Sequence, residues 1–406
     1  MWSLKPLISP PSTCPGCNSE NEGFAEYIFT GTHILGKGVC ACCGLDYYHN
    51  WPVGHGADFP ISFNLNGTAR YPEKAAQWLA RPLIKAVKQN LSINAPVRRE
   101  VKKSISQALL LNCLDPCYGH VIWKLFNASR YRDIPLPGGL VVLIPANCSW
   151  LVPGFVAEIW SVDANLSSLN YLVPSVGTFI RETSRNFESV SLVPVATHMD
   201  HSGVDIQQFL PVKPFRLQDF YLKPACITLI WREDRFWLAS RPEQWISLVA
   251  CKYSIKWLIS WLSYRQLKKM SKVTRFIRRE MPAIRIKVTG LGVRGKFPEY
   301  IEDLRQLKLT EYWEKKWCQV YADSQLVIGI HGSNMLIPTA IAAGFIELLP
   351  PGKIPFITED ILMKHGPRLQ MFLGRHLDVY SSSKIIARHV ISVFRDFEYL
   401  YRNMQQ

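Results

Sequence analysis

The chain has 406 residues, of which 48% are hydrophobic, 12% aromatic and only 19% charged. That is enough apolar material for two or three ordinary domains and too little charge for a disordered chain. Its 24 Gly and 27 Pro are scattered without a period, which excludes a collagen-like or repeat architecture, while a formal charge of +15 points to a polyanionic partner: a nucleic acid, a nucleotide phosphate or an acidic membrane surface.

No run of eighteen uncharged apolar residues occurs, and the start, Met-Trp-Ser-Leu-Lys-Pro, lacks an apolar core followed by a small-residue cleavage site. The expectation is a non-exported, cytoplasmic chain, in which the five Asn-x-Ser/Thr sequons (Asn66, Asn90, Asn127, Asn147, Asn165) are chance occurrences. Of the eleven cysteines, Cys14, Cys17, Cys40, Cys42 and Cys43 fall in the first 43 residues, which is metal-site usage in a reducing compartment. Cys14-Pro-Gly-Cys17 and Cys40-Ala-Cys-Cys43 form two Cys-x2-Cys knuckles separated by twenty-two residues. Two such turns supply four thiolates to a structural zinc, which would hold a module of residues 1–58 folded without doing chemistry. Cys42 is then a spare thiol, and His33, His49 and His55 are alternates for one ligand. A redox pair or plain buried cysteines is the competing reading.

From Phe59 to Arg70 the composition reads as a linker. Apolar spacing then predicts helices over Pro72 to Asn90 and Val97 to Cys113, followed by strands at Gly139 to Ile144 and Ser191 to Val195. This alternation predicts an α/β protein with parallel sheets covered on both faces. Phe209 to Pro224 reads as a crossing into a second domain, which opens with the apolar strand Cys226 to Trp231 and ends in a polar cluster from Arg232 to Arg235. Later come a strand, Leu326 to Ile330, a turn, His331-Gly332-Ser333-Asn334, a small-residue helix, Met335 to Ala343, a stop at Gly344 and a strand, Phe345 to Leu349. A long amphipathic helix runs from Ser383 to Asn403.

In open α/β sheets, ligands sit beyond the carboxyl ends of the strands. At His331 to Asn334, Gly332 lets the backbone come close to a ligand, and free N–H groups at a helix start favour an anion such as a diphosphate. An ordinary helix cap is the competing reading; Glu347 on the next strand, able to accept from ribose hydroxyls, favours the ligand site.

Val327-Ile-Gly-Ile-His-Gly-Ser-Asn-Met-Leu with Phe345-Ile-Glu-Leu-Leu-Pro-Pro resembles the pattern of the family 61 glycosyltransferases, and Tyr118-Gly-His120-Val-Ile-Trp is similar to that family's Tyr-x-His-Trp helix. The resemblance spans about residues 70 to 400. It implies a GT-B architecture of two Rossmann-like domains facing a cleft: an acceptor domain at 70–215, a nucleotide-sugar domain at 220–382 and a terminal helix, 383–406, crossing back to the first. It implies transfer of a sugar from a nucleotide-sugar donor to a hydroxyl of a glycan or lipid-linked acceptor, with no catalytic metal. Lys124 stands near where the family often has an acidic residue, Ser333 replaces the commoner Ala, and the cysteine module lies outside the general pattern.

Such a reaction must stabilise charge on the leaving diphosphate and deprotonate the acceptor hydroxyl. Arg232 and Arg235 are the cationic candidates, since a guanidinium presents a rigid fork to phosphate; pairing with Glu233 and Asp234 in a solvated loop is the alternative. His120 is the candidate base, placed at the cleft by the resemblance, with Asp115 and Asp163 as other candidates, while His331 orients the donor.

Between Arg265 and Lys296 there are eleven Lys or Arg against one acidic residue, Glu280, just after a Trp-rich stretch with Trp245, Trp257 and Trp261. Residues 245–296 could rest peripherally on an anionic membrane surface; a packed helix pair with a solvated basic face is the plainer reading. Two further functional classes compete: a zinc-ribbon nucleic-acid-binding protein, disfavoured because residues 1–58 hold only Lys5 and Lys37 as cations, and an inactive transferase-fold scaffold.

Overall fold

The computed structural model describes residues 4–7, 12–21, 24, 26–133, 138–201 and 203–404. The chain forms two compact units, Met1–Val204 and Asp205–Gln406, each an α/β body built on its own six-stranded sheet.

In the first unit the strands lie in the order Leu4–Pro6, Ser189–Leu192, Gln107–Asn112, Gly139–Pro145, Glu158–Val162 and Val97–Val101, all parallel except the last. The central strands are apolar on both faces: Leu110, Leu111 and Val141 to Ile144 are fully buried, as a parallel sheet covered by helices requires. The helix Tyr118–Asp133 follows Gln107–Asn112, and the chain then proceeds outward through the strands Gly139–Pro145 and Glu158–Val162 before returning to Ser189–Leu192 on the other side of Gln107–Asn112. The sheet thus reverses direction between Gln107–Asn112 and Ser189–Leu192.

The second unit repeats this logic. Its strands are ordered Ile301–Asp303, Arg285–Gly290, Cys226–Trp231, Leu326–Ile330, Gly344–Leu349 and Gly374–Asp378, all parallel. The chain starts in the middle at Cys226–Trp231, builds one flank, then crosses to Leu326–Ile330 and builds the other. Its reversal falls between Cys226–Trp231 and Leu326–Ile330. In open α/β sheets the crevice beyond such a reversal is where ligands bind, because the two flanking connections leave in opposite directions. The helices Arg241–Lys252 and Lys256–Glu280 join Cys226–Trp231 to Arg285–Gly290, and the terminal helix Ser383–Met404 packs on Lys256–Glu280 within this unit.

Several sequence expectations give way here. The cysteine-bearing block does not stand apart: it lies within Met1–Val204, Leu4–Pro6 extends the large sheet at the otherwise open edge of Ser189–Leu192, and Val53 is bridged to Val195. The supposed linker carries two short strands, Ser62–Phe63 and Ala69–Arg70, closing a five-stranded antiparallel sheet with Glu26–Phe29, Ile34–Val39 and Asp46–Asn50. Phe63 and Ile61 are fully buried against Leu35 and Leu79, so this segment belongs to a core. Val97 to Cys113 is two strands, Val97–Val101 and Gln107–Asn112, in place of one helix. Only Val97 and Val101 are apolar in the first, an exposed edge, whereas the second is a buried run of strand length. The helix placed at Met335 to Ala343 shrinks to a 3-10 turn, Ser333–Met335, and the six residues Leu336–Ile341, and Gly344 opens the next strand where a helix stop was expected.

Candidate functional site

Each Cys-x2-Cys pair sits in the turn of a hairpin, the first between Ser12–Thr13 and Glu20–Asn21, the second between Ile34–Val39 and Asp46–Asn50. The two turns close alike: Asn18 N donates to Cys14 O at 3.1 Å and Gly44 N to Cys40 O at 2.9 Å, with both donor residues at positive φ. The sulfurs of Cys14 and Cys43 are 3.7 Å apart and those of Cys17 and Cys40 3.5 Å. A tetrahedral ion with Zn–S bonds near 2.3 Å requires about 3.8 Å between sulfurs, so the four cysteines can hold a metal ion. Cys42 is outside the group. So are the three candidate histidines: His49 Nδ1 pairs with Ser62 Oγ at 2.7 Å, His33 is buried with its backbone N–H donating to Thr30 Oγ1, and His55 joins another cluster.

At the reversal of the second sheet, the two polar strand ends meet. Arg232 Nε donates to Asp234 Oδ1 at 2.7 Å while its Nη1 donates to Asn334 Oδ1 on the opposite loop. Arg235 Nη1 donates to the carbonyl of His331 at 2.6 Å. Gly332 lies beneath both guanidinium groups with φ of 146°, and a Cβ there would stand 2.2 Å from Arg235 Nη1 and 3.2 Å from Arg232 Nη1. The backbone conformation therefore favours glycine, and a side chain there would push the Arg235 guanidinium aside. Burial works to raise the Asp234 carboxyl, but the hydrogen bond and charge of Arg232, with Arg235 behind it, prevail and hold it below the usual aspartate range. Arg232, Arg235, His331, Gly332 and Asn334 are thus brought together, with the half-buried Ser333 between the last two. The local positive field comes chiefly from the two guanidiniums, because the helix that follows is too short to add much dipole.

Glu347 lies behind this loop and is fully buried. Register pairs it with Gly329 on one side and His376 on the other, so its Oε2 stands 3.2 Å from His331 Nδ1 and 3.2 Å from His376 Nδ1. The other face of the His331 ring reaches Asp360 Oδ2 at 3.3 Å. Burial opposes ionisation of Glu347, yet the bonds from the two imidazoles outweigh it and its carboxyl is lowered, whereas burial pushes Asp360 up to about 6. Asp360 and His376 were not anticipated from the sequence. His376 is reached only through strand register, and Asp360 lies in a segment without a motif.

The first unit carries a second constellation at its own reversal. Asp115 and His120 follow Gln107–Asn112, and His198 follows Ser189–Leu192. Asp115 Oδ1 accepts from Cys117 N at 2.9 Å and lies 3.1 Å from His120 Nδ1, while its Oδ2 lies 2.8 Å from Lys124 Nζ. Lys124, which stands where an acidic residue was expected, is fully buried and also donates to Leu114 O at 2.7 Å. The loop at Gly54, with φ of 60°, closes directly over this ammonium, and a Cβ there would meet Lys124 Nζ at 2.7 Å. Burial would raise Asp115, but the Lys124 charge and the His120 contacts dominate and keep it ionised. Asp163, the other candidate base, is an exposed partner of Arg98 at 3.6 Å. His55 and His198 complete the cluster: the ring centroids of His55 and His120 are 4.8 Å apart, and those of His120 and His198 5.7 Å. Burial, with His120 next, pulls His55 down to about 3. Trp78, Phe59 and Trp123 line the cluster.

On the second unit, Trp245 and Trp257 are 71% and 70% exposed, with Leu248, Val249, Tyr253, Trp261 and Tyr264 also exposed, a run of large apolar groups on two consecutive helices. Among the described residues no helix is long and apolar enough to cross a membrane.

No protein-family model matches the chain, and no curated protein matches it. Among solved structures, E. coli ADP-heptose LPS heptosyltransferase II is similar over 72% of this chain and 99% of its own, with 9% identity and a TM-score of 0.37. E. coli heptosyltransferase WaaC with ADP covers 72% of this chain and 98% of its own, with 12% identity and a TM-score of 0.34. TarM covers 94% of this chain and 70% of its own, with 9% identity and a TM-score of 0.26.

Proposed function

We propose that the chain is a GT-B glycosyltransferase of the family 61 kind, moving a sugar from a nucleotide-sugar donor to a hydroxyl of a glycan or lipid-linked acceptor. The observation that carries this reading is the convergence of Arg232 and Arg235 on Gly332 at the reversal of the second sheet. Two guanidiniums over a glycine backbone form a cradle for a diphosphate, and they stabilise the charge that builds on it as the bond between the sugar's anomeric carbon and the diphosphate oxygen breaks. Asn334 and Asp234 fix the Arg232 plane, the His331 carbonyl fixes that of Arg235, and Ser333 borders the cradle. Glu347, enclosed by two imidazoles, acts through His331 and sets the loop's position; its burial leaves no room for a ribose against it. In this assignment the donor belongs to residues 205–406 and the acceptor to residues 1–204, and no metal is needed at the diphosphate.

The acceptor hydroxyl needs a base. His120 fills that role in our reading, because Asp115 holds its Nδ1 and leaves Nε2 to take the proton, with the imidazolium that forms stabilised by the same carboxylate. Lys124 serves as the counterion that keeps Asp115 charged, so the basic residue at that position supports the dyad. The four cysteines hold a structural zinc, and the exposed Trp245 and Trp257 with the neighbouring basic helix rest on an anionic membrane surface, where a lipid-linked acceptor would be found.

The test is a thermal-shift screen against nucleoside diphosphates, repeated with Arg232→Ala and Arg235→Ala. A ligand that binds only the folded state raises its melting point, and losing one charge-assisted contact of about 1.5–3 kcal/mol weakens binding roughly 10- to 100-fold. No stabilisation by any nucleoside diphosphate at millimolar concentration, or equal stabilisation of both variants, overturns the reading.

A further inference from the structure

Val53 is bridged to Val195 and Gly54 N donates to Val195 O at 2.7 Å, so the segments bearing His55 and His198 leave from one point. The helix that opens at Tyr118 brings His120 to the same place, and one ring nitrogen from each of the three histidines lies within 4.8 Å of the others. His55 Nδ1 is buried and has no hydrogen-bond partner, which is costly for an imidazole nitrogen unless something else occupies its lone pair or proton. His120 is held from behind by Asp115 through Nδ1, the carboxylate–histidine arrangement that orients metal-ligating imidazoles and raises their basicity.

We propose that His55, His120 and His198 form a binding site for one borderline divalent cation of the zinc type, separate from the four-cysteine group. Three neutral imidazoles select such a cation over magnesium or calcium, which take oxygen ligands. Asp115 and Lys124 cancel each other's charge next to the site, so no net positive charge repels the ion. The His198 side chain is exposed and His120 is 29% exposed, which gives the ion a way in and leaves a fourth position open to water. Tetrahedral Zn–N bonds of about 2.0–2.1 Å need nitrogens about 3.3 Å apart, so the trio closes by up to about 1.5 Å on binding. Rotation of the two partly exposed rings provides that movement. The site has a regulatory consequence that rests on the proposed function: a bound ion takes the His120 Nε2 that proton transfer needs, so the ion blocks the base.

The test is zinc stoichiometry by elemental analysis after equilibrium dialysis of the full chain against micromolar Zn2+, with Co2+ spectra on the same variants. The expected result is two ions per chain in the parent protein and one in His198→Ala and in His55→Ala, with the thiolate-to-cobalt bands of the cysteine group unchanged in both. Retention of those bands also shows that the variants are folded. A parent protein that holds one ion, or a second ion that survives both substitutions, overturns the site. Donor turnover is read in parallel: zinc should suppress it at least tenfold in the parent and leave His198→Ala unaffected. Zinc binding at the trio without loss of turnover overturns the blocking consequence and leaves the site standing, and a chain without transferase activity fails the proposed function while the stoichiometry still decides the site.

Discussion

Removing the charge of Asp115 strands the Lys124 ammonium in a fully buried position, where the Leu114 carbonyl still accepts from it but no longer shares it with a carboxylate. Breaking a buried ion pair from one side costs about 3–5 kcal/mol, because the remaining charge has lost its water and its counterion. For a unit of roughly 200 residues, 1 kcal/mol corresponds to about 2–4 °C, so Asp115→Asn should lower the melting temperature of the first unit by about 6–20 °C. Lys124→Met strands the carboxylate instead and should cost a similar amount. The double variant Asp115→Asn/Lys124→Met leaves neither charge, and its cost should fall well short of the sum, with a coupling of about 2 kcal/mol or more. The assay is differential scanning calorimetry or urea unfolding followed by a probe in the first unit. The acid limb gives a second check: the folded Asp115 titrates below the unfolded value of about 3.9, so its contribution is present above that pH and is lost as pH falls toward the folded value. Asp115→Asn should flatten that limb. Additive single-variant costs, or costs below about 1 kcal/mol, would refute the pairing as the reason a lysine is tolerated there.

Gly332→Ala places a Cβ against Arg235 Nη1 at a φ that side chains rarely adopt, a strain of about 1–3 kcal/mol; nucleoside diphosphate affinity measured by calorimetry should fall at least tenfold, with a smaller loss of stability. Asp360, raised by burial to about 6, keeps its proton in the folded state where the unfolded chain has released it, so its effect is a loss of up to about 3 kcal/mol of stability as pH rises from about 4 to 6. The difference between parent and Asp360→Asn melting curves across that range isolates this from the opposite trend of Glu347, and a flat difference contradicts the burial argument. Trp245→Ser/Trp257→Ser should abolish co-sedimentation with anionic vesicles while neutral vesicles bind neither protein; binding independent of anionic lipid contradicts the membrane reading.

What could be read in the sequence follows a physical division. Cys226–Trp231 and Leu326–Ile330 were legible because strands buried on both faces show as unbroken apolar runs, and the cysteine knuckles because their chemistry is contained within four residues. Val97 to Cys113 carries a helical spacing of apolar residues although it forms two strands, because the turn at Lys102 to Ser106 places Ile105 in step with Val97, Val101 and Leu109. Ser62–Phe63 and Ala69–Arg70 are two residues each, too short for any period to show. Strand order was not legible at all, yet strand order is what sets Arg232 and Arg235 beside His331, and His120 beside His198. His55 and His198 lie 143 positions apart in the chain and meet only because Val53 pairs with Val195. The ion pair of Lys124 with Asp115, nine residues earlier, has no periodicity to announce it and forms where the loop after Gln107–Asn112 meets the helix Tyr118–Asp133.

The pairing of Leu4 with Val190 has a bearing on how the molecule comes into being. Leu4–Pro6 finds its mate only some 190 positions further along the chain, whereas the cysteine hairpins just behind it close on local contacts. That edge of the large sheet is thus held by its longest-range pairing, the kind of contact whose loop-closure cost makes it slow to form. Until that pairing forms, the flank of Ser189–Leu192 stays bare and available to another chain's backbone.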